Sequence, residues 1–160
     1  MLFLLATPEY TNVQSNTTKV RVHLRNGVAE VFDQHEDLMG KVENNLLEVE
    51  TNFENKIEKL LFILQDAVFI VSNKGLESNP ETKGTGIYVY AKRVREINST
   101  TSLDDIAKQY DLKYAELENA TAKAEQEKDT SIKTNSKIFL LKEEVEFLQR
   151  TLVIVKDLKK

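Results

Sequence analysis

The chain has 160 residues, enough for one domain or two small ones, and its 41% apolar content supplies a core and excludes a wholly disordered chain. A net charge of −4 argues against nucleic acid as a main partner, since phosphate binding needs a concentrated basic surface. The absence of cysteine excludes disulfides and thiolate metal sites and fits a reducing cytosol.

The first residues, Met1 to Pro8, are apolar but too short and insufficiently basic for a signal peptide, and are expected to form a buried strand. No stretch approaches the roughly 18–20 apolar residues of a membrane span, so a membrane machine would be met from the water side. Val20, Val22 and Leu24 alternate with Lys19, Arg21, His23 and Arg25, the period of a half-buried strand. Asn26-Gly27 signals a turn, and Val28 to Phe32 returns as a second strand. Leu46, Val49 and Thr51 mark a third. Leu60 to Leu64, then Gln65-Asp66, then Ala67 to Val71 read as a hairpin covered on both faces, and Ile87 to Ala91 as a further strand. Between Gly75 and Gly86 the chain is polar and rich in turn formers, as expected of a surface loop.

Near residue 98 the composition shifts. All five glycines and both prolines lie before it, and the rest of the chain is expected to be helical. Asn98 to Ser102 forms a polar linker. Ser102 followed by Asp105 makes a capping box. Leu103, Ile106, Tyr110, Tyr114 and Leu117 recur at helical spacing, and a connection is expected around Asp129-Thr130-Ser131. Ile138, Leu141, Val145, Leu148, Leu152 and Val155 then alternate steps of three and four, a coiled-coil seam in which Leu148 is expected to be the most fully covered. The predicted fold is α+β: an N-terminal antiparallel β-sandwich at 1–97, a linker at 98–102, and a two-helix hairpin at 103–160.

This order of elements resembles the epsilon subunit of bacterial F-type ATP synthases, called delta in mitochondria. Thr7-Pro8-Glu9 is similar to the family's first-strand turn. Gly27 to His35 occupies the place of a glycine-rich segment ending in Pro-Gly-His, here Asp33-Gln34-His35, and His35-Glu36-Asp37-Leu38 continues as the family does. Leu61 to Ser72 matches a hairpin that normally carries Gly-Gly, here Gln65-Asp66. Gly86 to Arg93 matches the last strand, and Leu103-Asp104 the start of the first helix. The resemblance implies a non-catalytic central-stalk subunit that binds a gamma-type shaft and an alpha/beta-type catalytic hexamer and has no cofactor of its own. It also implies that the Gln34–Asp37 end of the sandwich faces a membrane rotor ring, with the protein cytoplasmic at the inner face of the cell membrane. Abundant asparagine and lysine with little arginine fit an AT-rich genome such as a mollicute's, where F-type-like ATPases with specialised duties, including motility, occur.

No catalytic constellation is readable: there are two histidines, no cysteine, and no phosphate-cradling glycine-lysine loop. The pairs Asp104-Asp105 and Glu143-Glu144 point about 100° apart on predicted helices, so neither shares a proton. His35, Glu36 and Asp37 are consecutive and rarely converge on one ion; a polar turn and a rotor-ring contact both stay open for Gln34, His35, Glu36 and Asp37. Lys19, Arg21, His23 and Arg25 form either a solvated face or one that pairs with an acidic stalk partner. Val145, Leu148 and Leu152 serve either as core or as a partner surface. Many relatives bind ATP through Leu/Ile-Asp-x-x-Arg-Ala. Here Leu103-Asp104-Asp105-Ile106-Ala107-Lys108 retains Asp104, places Ala107 at the arginine, and carries Lys108 one position late, so ATP binding is not expected. The competing classes are a scaffold with a coiled-coil tail and, more remotely, a small enzyme using the sandwich's polar end.

Overall fold

A computed structural model of the chain describes residues 1–74 and 84–160. Among them lie eight strands: β1 (Leu2–Ala6), β2 (Thr11–Gln14), β3 (Thr17–Leu24), β4 (Gly27–Phe32), β5 (Leu38–Val42), β6 (Asn45–Phe53), β7 (Lys56–Ser72) and β8 (Gly86–Ile97). Two helices follow, α1 (Leu103–Gln126) and α2 (Ile132–Leu158). The chain divides into two compact units, Met1–Ser99 and Thr100–Lys160. The α+β class is as the sequence predicts.

The strands follow the order β2-β1-β8-β7-β6-β3-β4, with β5 paired to β7. All pairings are antiparallel except β1 with β8, which is parallel and sets Leu2 beside Gly86. The expectation of a purely antiparallel sheet is corrected at this one pair.

The organising element is β7. Lys56 to Leu64 pair with β6, while Ala67 to Val71 pair with β5 on the same edge, and β8 runs along the other edge from Leu61 to Ser72. The change of partner falls at Gln65-Asp66, where Asp66 takes φ 46°. One strand therefore serves both layers of the sandwich, as strands do at sheet corners. The two layers close on a core of Phe3, Leu5, Val20, Val22, Val42, Leu47, Phe62, Leu64, Phe69 and Val89, with the Phe3 and Phe62 rings 6.3 Å apart.

The expected hairpin at Gln65-Asp66 is thus not formed. Reversal of the chain occurs eleven residues earlier, at Glu54 and Asn55, whose φ values of 49° and 64° make a primed two-residue turn. The Asn26-Gly27 signal holds with a shift of one: the turn residues are Arg25 and Asn26, and Gly27, at φ 152°, opens β4. Strands β2 and β5 are additions to the expected set. β5 is admitted because Gly40 lies against the Phe69 ring with no room for a Cβ. Of the loop expected between Gly75 and Gly86, residues 75–83 lie outside the described residues.

In the helical unit, Ser102 accepts a hydrogen bond from the Asp105 amide at 3.3 Å and so caps α1; Ser131 caps α2 through Thr134. The Asp129 carboxylate accepts from the Ser131 amide and the Thr134 hydroxyl, closing the connection where the sequence places it. Those bonds hold the Asp129 carboxyl below its ordinary range. Lys113 of α1 reaches Glu116 at 3.1 Å and Glu144 of α2 at 3.4 Å, which ties the two helices side to side.

Candidate partner interface

The basic stripe of β3 folds into a charge cluster. Period-two alternation sends Val20 and Val22 into the core and Lys19, Arg21 and His23 to the opposite face. Cross-strand register then sets Arg21 beside Glu30 of β4 and Glu48 of β6. Arg21 Nε lies 2.8 Å from Glu30, and Lys19 Nζ lies 3.3 Å from the same carboxylate and over the Phe32 ring. His23 donates to Glu48 at 2.6 Å, Arg21 approaches it at 3.6 Å, and Lys59 of β7 bonds its second oxygen. Glu48 is buried. Burial pushes its carboxyl up, but Lys59 and His23 overcome that and hold it below the ordinary range. Of the four residues in the stripe, Lys19, Arg21 and His23 have carboxylate partners within the chain, and Arg25 sits exposed at the hairpin turn.

The turn carrying Gln34, His35, Glu36 and Asp37 stands at the other end of β4. Gln34 takes φ 63°. The His35 amide donates to the Phe32 carbonyl, and its ring Nδ1–H donates to the Glu36 carbonyl at 2.8 Å. Glu36 and Asp37 are exposed. No group of three or more metal-ligating side chains comes together among the described residues.

Sequence reasoning missed a further surface. On the second layer, register aligns Val13, Leu4, Tyr88, Ile70 and Met39 across β2, β1, β8, β7 and β5. The next row holds Ala6, Tyr90 and Val68, ending on Lys41. By strand alternation they lie on the face opposite Phe3, Leu5, Val42, Phe69, Val71, Ile87 and Val89, although Tyr88 within the row is itself buried and Leu4 and Ile70 are half-buried. Met39 is 71% exposed, Val13 53%, Tyr90 47% and Val68 40%. The signal was present: Ala67 to Val71 and Ile87 to Ala91 are apolar at consecutive positions, the mark of strands with both faces covered. Here the outer face is left partly open, and open apolar bands of this kind mark contact surfaces.

In the helical unit Leu141, Val145, Leu148 and Val155 are buried, and Leu152 is half-buried. Val155, fully covered, is the most enclosed of the seam, so the expectation for Leu148 is corrected. Phe147, Thr151 and Ile154 form a second buried row, and the Thr151 hydroxyl donates to the Phe147 carbonyl at 2.7 Å. Asp104 and Lys108 lie one turn apart on α1, both exposed, with Asp104 in the first turn, where carboxylates suit the helix dipole. No helix among the described residues is long and apolar enough to cross a membrane.

No protein-family model and no curated protein matches the chain. Solved structures do. A chain in the cryo-EM structure of Euglena gracilis mitochondrial ATP synthase (OSCP/F1/c-ring, rotational state 1) superposes with a TM-score of 0.52. The match spans 94% of this chain and 79% of that one at 15% identity. At that identity the likeness is one of fold. A chain of the Tetrahymena thermophila mitochondrial ATP synthase central stalk and c-ring aligns over 95% of this chain and 96% of its own, at 10% identity and a TM-score of 0.47.

Proposed function

We propose that the chain is a non-catalytic, epsilon-like central-stalk subunit of an F-type or F-type-like rotary ATPase. Its sandwich binds a gamma-type shaft, its helical hairpin bears on the alpha/beta-type catalytic hexamer, and the Gln34–Asp37 turn faces a rotor ring. Nucleotide chemistry belongs to the partner subunits. In this reading the protein sits in the cytoplasm against the inner face of the membrane, held there through the complex. The host is a mollicute-type cell whose complex serves ATP synthesis or a specialised motor.

The observation that carries this reading is the open apolar band of Val13, Met39, Val68 and Tyr90. Aligned by strand register and open to solvent, it has the character of a contact surface, and it lies on a fold like that of the Euglena ATP synthase chain. The internally paired β3 stripe is a weaker candidate, because its charges already have partners and surface ion pairs contribute under about 1 kcal/mol.

The test is co-purification of the tagged full chain from its source cells. Recovery with alpha-, beta- and gamma-type subunits supports the proposal, and Val68→Glu with Tyr90→Glu should abolish that recovery while the chain stays folded. Recovery of only a homo-oligomer would replace it with the coiled-coil scaffold.

A further inference from the structure

A closed hydrogen-bond network joins the 33–37 turn to the end of β7 and the start of β8. Thr85, 2% exposed, is its hub: its hydroxyl donates to Asn73 Oδ1 at 2.7 Å and accepts from the Gln34 amide at 2.6 Å. Asn73 completes the circuit. Its side-chain amide donates to the His35 carbonyl and to Asp37 Oδ1, and its backbone amide donates to the same carboxylate oxygen at 3.0 Å. The turn needs this support, because Gln34 is held at φ 63°, a region that costs a residue with a Cβ roughly 1 kcal/mol or more. Local bonds within the turn, from the Gln34 amide to Asp33 and from His35 to Phe32, do not reach the far strands.

We infer that Asn73 and Thr85 are positioning residues: they lock the turn in one shape so that the Gln34, His35 and Glu36 side chains are presented, preorganised, to the subunit the turn contacts. The side chains offered are an imidazole, a carboxylate and an amide, so the complementary surface is a polar loop, and the ordering cost of the turn is met before contact. This inference rests on the rotor-ring contact of the preceding section. Neither Asn73 nor Thr85 need touch the partner; they act through the turn.

The experiment uses the full-length chain in three forms: wild type, Asn73→Ala, and Thr85→Val, which keeps the shape and removes the hydroxyl. Thr85→Ser, which keeps the hydroxyl, is the rescue. Amide exchange at Gln34 should quicken about tenfold in Asn73→Ala and Thr85→Val but not in Thr85→Ser. Binding to the detergent-purified rotor ring of the host complex should weaken about tenfold in the same two variants, with wild-type affinity in Thr85→Ser. Unchanged exchange in both variants would overturn the lock. Faster exchange with unchanged ring binding would overturn the positioning role. If the wild-type chain itself does not bind the ring, the contact reading fails, and the exchange measurement still decides whether the lock exists.

Discussion

His23 on β3 and Glu48 on β6 meet at 2.6 Å, although the residues are 25 apart in sequence. The contact links a side chain from the exposed half of one strand to a buried carboxylate on its neighbour. Lys59, one strand further on, bonds the second oxygen of the same carboxylate. Three strands are thereby cross-linked through a single acid.

Replacing that acid tests the link. Glu48→Gln leaves Lys59, His23 and Arg21 facing a neutral amide and should destabilise the sandwich by about 2 kcal/mol at pH 7. The Glu48 carboxyl is held below its ordinary value, so its contribution is present above the unfolded value near 4.5 and fades as pH falls through the lower folded value. The stability gap between wild type and Glu48→Gln should therefore shrink as pH falls below about 4.5. Denaturant titrations at several pH values measure it; a gap that keeps widening below about 4.5 would contradict the assignment.

Gly40 should not tolerate a side chain. An alanine there meets the Phe69 ring, itself within the core, and one of the two must move. Gly40→Ala should cost about 1–3 kcal/mol, read as a lower midpoint in thermal or urea unfolding.

The β6–β7 turn offers the opposite sign. Glu54 and Asn55 both hold positive φ without a glycine. Changing the pair to Asn-Gly supplies the residues that a primed turn prefers and should raise stability by about 0.5–1 kcal/mol. A neutral or lower melting point would show that Glu54 makes a compensating contribution.

Leu148→Asp places a carboxylate in the buried seam of α2, at a cost of several kcal/mol. Limited proteolysis should then cut within residues 100–160 while a fragment close to Met1–Ser99 persists. Unchanged protection of the helices would contradict burial of the seam.

Millimolar ATP should leave the melting point unchanged, since Ala107 stands where the ATP-binding motif that this segment resembles carries an arginine, and Lys108 is exposed one position late. Binding at 100 times a dissociation constant would add about 2.7 kcal/mol, well within reach of a thermal-shift assay.

Most of the fold was legible, for identifiable reasons. Val20, Val22 and Leu24 alternate cleanly because β3 has one core face and one polar face. Ser102 announces its helix because capping is a local interaction. The turn at Glu54-Asn55 was not legible: neither residue is glycine, and nothing local marks positive φ there. The continuity of β7 was also hidden. Gln65-Asp66 is polar because the strand changes partners at that point, and a polar pair between two apolar runs reads equally well as a reversal. The outer band of Val68 and Tyr90 was visible only as strands apolar on both faces. Which face is left open depends on long-range pairing that one sequence does not display. The Asn73–Thr85 network depends on three segments meeting and had no local signature.

The parallel pairing of β1 with β8 has a consequence for biosynthesis. Leu2 to Ala6 leave the ribosome before every other strand of the sandwich, yet their parallel neighbours, Gly86 to Tyr90, follow more than eighty residues later. The β3–β4 and β6–β7 hairpins close over short separations and can assemble early, whereas the amino-terminal strand must wait with its apolar side chains unburied. Pairing of β1 with β8 thus cannot precede synthesis of the last strand. In a growing chain the exposed Leu2–Ala6 segment is where a chaperone is most needed and where a stalled product is most prone to associate wrongly.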